Sequence, residues 1–428
     1  MYKQYLSQTI NLLKENKLLS FISIVGTALA ICMIMAIVIV FEVKTANYEP
    51  ETHRDRMLTV KWGGAAEKEH PEMNSNSMIS LKVVKQCFYP LNNVEAVTGV
   101  MPFQQKLASI PSGTTNFKCD VSYTDAAFWK VFDFSFLKGT PYVKEEFESG
   151  IRKAVISENI ARRLYGTTDV VGKTISLSYQ NYTISGVVKN VSTLAEAAYA
   201  QVWVPYTTNN QSETLQFCEN LLGCFRCYIL AHSSADFDDI RNQVNRNVTV
   251  LNASQKEQIL LLRGQPDTQF VQLTRKWANN DAKVKETVIQ YSIILTLLLL
   301  VPAINLSGMT HSRMKKRMSE IGVRKAFGAN RKELLEQVLY ENFIYTILGG
   351  IFGLILSYIS VVFLKTWLLN NLMDGYLSGS SSLNVAMLFQ PSIFLYAFIF
   401  CLLLNMMSAG IPAWKASRTK IVNALNDK

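Results

Sequence analysis

RMKKRMSEIGVRKAFGAN, residues 313–330, is a short, strongly basic stretch between two long apolar segments. Both neighbours are long enough to cross a bilayer, whose hydrocarbon core of roughly 30 Å takes about 20 mostly apolar residues at 1.5 Å per residue. The basic stretch must then be a loop at one membrane face. Four segments meet the length requirement: residues 18–41, 287–308, 342–364 and 392–413, none of which contains Asp, Glu, Lys or Arg. A cleaved signal peptide is the competing reading of the first. Its apolar run exceeds a signal core, and no clear small-residue cleavage site follows it.

Orientation follows from Lys and Arg near the spans. Lys3, Lys14 and Lys17 precede the first span, Arg313, Lys315, Lys316, Arg317, Arg324, Lys325, Arg331 and Lys332 lie between the second and third, and Lys415, Arg418, Lys420 and Lys428 follow the fourth. The connection 365–391 offers only Lys365. Both termini and the 309–341 segment are therefore expected in the cytoplasm, and residues 44–285 outside. The block from Lys44 to Lys283 holds 26 of the 43 basic and 24 of the 33 acidic residues, so most of the net charge of +10 lies in or beside the membrane segments. The basic pI is a topology signal, and nucleic-acid binding is not indicated, because it needs the excess clustered on a soluble domain.

The outer block is long enough to bury its own core and reads as mixed α and β. Strands are expected at 58–62, 117–123, 174–178, 182–188 and 226–231, and helices at 157–166 and 236–248. Ser157 is placed as an N-cap and Gly166 as the residue that ends the helix. The polar stretch 63–80 reads as a loop, and a subdomain boundary falls near 192–200 or 209–213. GTTDVVGKT, residues 166–174, resembles a phosphate loop. Five residues separate its glycines where that motif needs four, so it reads as a helix end turning into a strand.

Five cysteines fall outside: Cys87, Cys119, Cys218, Cys224 and Cys227. The cluster Cys218, Cys224 and Cys227 with His232 invites a zinc reading, but the four-ligand spacing is not met. An oxidising compartment points instead to disulfides, with free buried thiols as the alternative. No metal site, nucleophilic triad or intramembrane carboxylate emerges, and the uncharged spans argue against an ion-coupled transporter.

In the basic loop, Gly328 is placed to end a short helix carrying Arg324 and Lys325 in its last turn, and Asn330 to cap a new helix with Glu333 at N3. From Arg331 no breaker occurs before Leu364, which gives about 51 Å of helix, more than a bilayer needs. Such a rod can carry force from the membrane surface. A purely solvated loop accounts for the charge but not for Ile321, Val323, Ala326 and Phe327 beside Gly328. Gly349, Gly353 and Ser357 form a small-residue stripe suited to close helix approach in lipid. Residues 1–17 form an amphipathic helix with Tyr2, Leu6, Ile10 and Leu13 on one face, as expected at the inner lipid interface.

Residues 305–343, NLSGMTHSRMKKRMSEIGVRKAFGANRKELLEQVLYENF, resemble the signature of the MacB/FtsX-type permeases of ABC transporters. SFISIVGTALAI (20–31), FWKVFDFSFLKGTP (128–141), AVISENIARRLYG (154–166), VVGKTISL (170–177), YTISGVVKNV (182–191) and PAWKASRTKIVNALN (412–426) are similar to the outer-domain and terminal patterns of the MacB-like branch. The resemblance implies four transmembrane α-helices with a large α+β extracytoplasmic domain between the first two. It further implies a bacterial inner-membrane location, no cofactor of the chain's own, and ATP bound by a separate cytoplasmic ATPase. Glu320, Ile321, Gly322, Val323, Arg324, Lys325, Phe327 and Gly328 would be the ATPase contact. The implied partners are that ATPase, a second permease copy or paralogue, and an adaptor with an outer-membrane channel. Export or efflux by mechanotransmission is the leading implication; lipoprotein release and regulation of a cell-wall hydrolase are the alternatives.

Overall fold

The computed structural model describes residues 17–369, except 71, 112, 114–115, 276, 317–322, 324–326 and 328–329, together with 395–396, 398–400, 402–403, 406–407, 410 and 414. The amphipathic helix expected before Lys17, the 370–391 connection, most of the fourth span and the tail after 414 lie outside the described residues. The chain divides into two compact units, one of Met1–Val43, Val288–Leu369 and Asn384–Lys428, the other of Lys44–Thr287 with Asn370–Leu383.

In the first unit, helices span Lys17–Thr45, Val284–Lys316 and Arg331–Leu369. Among the described residues, two stretches are long and apolar enough to cross a bilayer, Ser20–Thr45 and Leu335–Phe363. The expected 287–308 span lies within a continuous 33-residue helix. The helix from Arg331 runs 39 residues, five past the sequence expectation.

The second unit is built on a large mixed sheet. Its strands are β1 (Met57–Val60), β4 (Val94–Ser109), β5 (Asn116–Thr124), β6 (Phe136–Gly139), β7 (Lys153–Ser157), β8 (Thr174–Leu177), β9 (Gln180–Val188), β10 (Val202–Pro205), β12 (Arg226–Ala231) and β14 (Asp267–Thr268). They follow the order β14-β1-β12-β4-β5-β10-β7-β9-β6, with β8 joined to β4 and β9. Two pairings are parallel, β10 with β5 and β7 with β9. A smaller sheet orders β11 (Leu222–Gly223), β3 (Asn74–Ile79), β2 (Gly63–Glu67) and β13 (Gln258–Leu261).

One core collects the aliphatic faces of these strands with Phe88, Phe225 and the helix Phe237–Ser254. The other is aromatic, centred on Phe128, Phe132, Tyr142, Trp203 and Tyr228. Trp129 stacks edge-on against Phe128, Phe134 and Tyr142, so the FWKVFDF run folds as a plug against the sheet. Aromatic pairs at these separations add to area burial.

The strands expected from alternation are present, RCYILA with the predicted bounds. The 63–80 stretch is not a loop: it forms the hairpin β2–β3, paired over Gly63–Ala66. Its polar composition reflects the exposed face of β3, while Ala65 and Ala66 are buried and β13 pairs the other side of β2. Tertiary pairing overrides weak strand propensity here. At Gly63 a Cβ would stand 2.8 Å from Ile79 Cγ2, which gives that glycine a packing reason.

Ser157 stands at the predicted cap position, but its hydroxyl makes no cap bond and is buried without a hydrogen-bond partner. Gly166 ends the helix as expected, at φ +73°. The phosphate-loop lookalike is a helix end and turn, with Gly172 at φ +84° before β8. Both candidate subdomain boundaries fall inside one compact unit.

Candidate coupling site

Of the eight residues expected to touch an ATPase, Val323 and Phe327 are described; Glu320, Ile321, Gly322, Arg324, Lys325 and Gly328 lie outside the described residues. The Phe327 amide donates to Val323 O at 3.0 Å, the hydrogen bond of one helical turn. Phe327 is 89% exposed, a bare aromatic ring at the foot of the long helix. Three residues later the Asn330 amide donates to Glu333 Oε2 at 3.1 Å, the reciprocal half of a capping box. The helix that starts at Arg331 therefore has a fixed beginning, and its 39 residues extend over about 58 Å.

The small-residue stripe on this helix has a definite partner. A Cβ at Gly349 would meet Thr27 Cβ at 2.7 Å, and one at Gly353 would meet Ala28 O at 2.7 Å and Ile31 Cβ at 2.9 Å. Ser357 is fully buried and returns its hydroxyl to Leu354 O at 2.7 Å. Ser20 and Tyr345 share a hydrogen bond at 3.0 Å, and Cys32 and Ser360 approach at 3.7 Å. Residue numbers climb together along both helices, so the two run in the same direction. That is the geometry expected of a first and a third span in one chain. Gly350 faces elsewhere, against Phe398.

Two buried arginines, missed in the sequence, fasten the ends of the globular unit. Arg54 donates through Nε to Glu51 Oε2 at 2.6 Å, and through its terminal nitrogens to Ala46 O at 3.1 Å, Tyr48 OH at 2.6 Å and Leu194 O at 3.1 Å. Its guanidinium lies 4.1 Å from the Tyr48 ring centroid. The other oxygen of Glu51 accepts the Ala197 and Ala198 amides. Ala46 is the residue after the Lys17–Thr45 helix, so this network ties the helix exit to the 192–200 segment.

Arg275 makes the matching clamp on the return. It forms a two-point ion pair with Asp267 at 2.6 and 3.0 Å, and donates to Asn280 O at 2.7 Å and Arg263 O at 2.9 Å. Both side chains are almost fully buried. Asn280 lies four residues before the Val284–Lys316 helix. The clamps meet on neighbouring strands: β1 follows Arg54, β14 contains Asp267, and Thr59 pairs with Asp267. Chain exit and chain return are thus both fixed at one edge of the large sheet. A third charged group, Lys61, Glu196 and Arg226, closes over the same region, with Lys61 Nζ at 2.6 Å and Arg226 Nη1 at 2.9 Å from Glu196 Oε1. Burial opposes ionisation of Glu196, but the two cations outweigh it and bring the carboxyl down to about 2.

The six described cysteines are free thiols, including Cys218, Cys224 and Cys227 of the expected disulfide cluster. Cys227 points into the aliphatic core, where burial pushes its thiol well above the ordinary value. Of the three, Cys227 lies in β12, while Cys218 and Cys224 precede that strand, half-buried against the same core. No group of acidic, Cys or His side chains fit to hold a metal occurs among the described residues.

The family description "MacB-like periplasmic core domain" matches residues 20–247, and "FtsX-like permease C-terminal" matches residues 292–421. The macrolide export ATP-binding/permease protein MacB of Pasteurella multocida is 26% identical over 306 residues, which cover 71% of this chain and 42% of that protein. The chain therefore spans less than half the length of that relative. The uncharacterized ABC transporter permease YknZ of Bacillus subtilis is 24% identical over 352 residues, 78% of each chain. Among solved structures, the extracellular domain of YknZ aligns with 47% of this chain and 99% of its own at 14% identity and a TM-score of 0.35. The periplasmic region of MacB from Actinobacillus actinomycetemcomitans aligns with 48% and 89% at 10% identity and a TM-score of 0.33.

Proposed function

The chain belongs to the ABC transporter permeases that join a MacB-like periplasmic core domain to an FtsX-like permease region, and from that premise we propose that it is the membrane subunit through which a separate cytoplasmic ATPase drives movement of an outer domain. The 320–328 segment is the ATPase contact, with Arg324 and Lys325 supplying charge and Phe327 an apolar knob. Closure of the ATPase pushes on this segment. The helix from Arg331 takes up the motion, and the first helix moves with it because Gly349 and Gly353 admit its backbone. The observation that carries the reading is the capped helix Arg331–Leu369, longer than a bilayer, with an 89% exposed phenylalanine at its foot.

The work is done on a substrate outside the membrane, in export or efflux, by a dimer of this chain or of this chain with a paralogue. A periplasmic adaptor and an outer-membrane channel complete the path. The test is reversal of charge, Arg324→Glu with Lys325→Glu, in vesicles containing the chain and its ATPase. The variant should insert normally and lose coupling between ATP hydrolysis and transport. Full coupled activity in that variant would overturn the assignment.

A further inference from the structure

Among the described residues three arginines are buried, Arg54, Arg226 and Arg275, and two of them fill the same edge of the guanidinium. Arg275 sets Nε and Nη2 on the two oxygens of Asp267 at 2.6 and 3.0 Å, and Arg54 gives Nε to Glu51 and Nη2 to Tyr48 OH and Leu194 O. Arg226, at 1% exposure the most deeply buried, donates Nη1 to Glu196 Oε1. Its Nε and Nη2 are different. The Tyr228 hydroxyl is close enough to feel the guanidinium charge, yet no oxygen completes a hydrogen bond with either nitrogen. Buried donors left unmade are costly and rare, so each asks for an explanation.

The charges around Arg226 do not balance. Lys61 and Arg226 both approach Glu196 Oε1, at 2.6 and 2.9 Å, which leaves one positive charge over. Burial, with the Arg226 charge behind it, holds the Lys61 ammonium below its ordinary range although Glu196 pulls the other way. The side chains of Lys61 and Glu196 are 21% and 25% exposed, so the cluster lies in a recess that reaches solvent.

Two half-buried rings wall this recess, with centroids 4.6 Å (Phe103) and 5.7 Å (Trp62) from Arg226 Cζ. Trp62 is held in place: Gln265 Oε1 accepts the Lys61 and Trp62 amides, and Gln265 Nε2 donates to Trp62 O at 2.7 Å. Phe103 is not. It stands at the bulge where β4 leaves β12 for β5, without a register partner in either ladder, and its φ is +59°. A bulky side chain in the left-handed region is strained, strain of this kind collects at ligand clamps, and bulges serve to re-aim a side chain.

We propose that this recess binds a small monocarboxylate with an apolar body. The carboxylate forks onto Nε and Nη2 of Arg226 as Asp267 does on Arg275, and the body lies against Trp62 once the Phe103 ring swings aside to admit it. A planar carboxylate matches two parallel N–H donors and brings the one negative charge that the cluster lacks. The site lies wholly within the globular unit and goes beyond the proposed function, requiring neither the ATPase nor an orientation in the membrane.

The full chain in phospholipid nanodiscs is titrated against para-fluorophenylacetate, followed by the fluorine linewidth, with para-fluorophenylacetamide as the uncharged match. Saturable broadening is expected from the acid and not from the amide. Arg226→Lys keeps the charge but not the fork and should weaken binding about tenfold, the worth of one charge-assisted hydrogen bond. Glu196→Gln removes the competing carboxylate and should tighten binding severalfold, which a purely structural arginine does not predict. Both variants are read at a temperature where circular dichroism shows them folded; if Arg226→Lys does not fold, Glu196→Gln decides alone. Equal broadening by acid and amide, a titration that does not saturate, or an affinity that Glu196→Gln leaves unchanged or lowers overturns the site. So does a Gly-Glu-Gly peptide that competes as well as phenylacetate, since the recess would then take a carboxylate from a protein chain.

Discussion

Arg275→Met removes one partner of a buried two-point ion pair while keeping a long apolar side chain in the same space. Asp267 is then left charged at 3% side-chain exposure, and the Asn280 and Arg263 carbonyls lose their donor. Removing one member of a buried pair costs about 3–5 kcal/mol, most of it the uncompensated charge. At about 1.4 kcal/mol per decade, a loss near 4 kcal/mol raises the local opening equilibrium by about three decades. Hydrogen exchange on the full chain in lipid reads this directly: amides of residues 263–283 should lose protection by that factor, while those of β5, remote in the sheet order, should change little. The double variant Arg275→Met with Asp267→Leu removes the stranded charge and should recover most of the loss. Unchanged exchange in the single variant, or a double variant as unprotected as the single, would show that the pair does not hold the return segment.

Gly349→Ala puts a methyl group 2.7 Å from Thr27 Cβ and should cost about 1–3 kcal/mol by overpacking. Gly308→Ala is its control, since nothing lies within 4 Å of that position; equal thermal stability of the two variants in detergent would refute the packing. Glu196 has its carboxyl lowered from 4.5 to about 2, so its contribution is complete above pH 4.5 and is lost as pH falls through about 2. The shift corresponds to about 3 kcal/mol, and Glu196→Gln should flatten unfolding stability across that window as followed by tryptophan fluorescence; an unaltered acid limb would show that the cluster does not set it. Burial pushes the Cys87 and Cys119 thiols up to about 12 and Cys227 higher than its ordinary value. Mass spectrometry after maleimide treatment at neutral pH should find these three unmodified in the native chain, with half-buried Cys218 and Cys224 reacting first, and a chain in which all five react together would refute the closed core.

What the sequence made legible follows period and length. RCYILA and YTISGVV were readable because alternating or unbroken apolar runs bounded by polar residues have few other solutions. The long helix was readable because nothing between Arg331 and Leu364 breaks it. The β2–β3 hairpin was not, because Asn, Ser and Glu carry no strand signal and its stability comes from β13, almost 200 residues later. The stripe Gly349, Gly353 and Ser357 announced close packing, but only the fold supplies Thr27, Ala28 and Ile31 as the opposing surface. The clamps show the same division. Glu51 and Arg54 stand three apart and could be paired on sight, whereas Leu194 O, which completes the network, has no local signature.

The clamps also explain why chain exit and return need more than strand pairing. β14 contributes two residue pairs to β1, and each backbone hydrogen bond is worth only about 1 kcal/mol net. A ladder that short opens under small loads. A membrane helix that shifted relative to its neighbour would shear this strand pair first, since β1 follows one helix and β14 precedes the other. Arg275 places an interaction several times stronger across the return, and Arg54 does the same across the exit. On the proposed mechanism, displacement entering at either end would be passed to the sheet edge as a whole instead of being absorbed by fraying. A chain lacking both clamps should keep its sheet and lose the connection between helix motion and sheet motion, which is the separation that distinguishes a transmission element from a core residue.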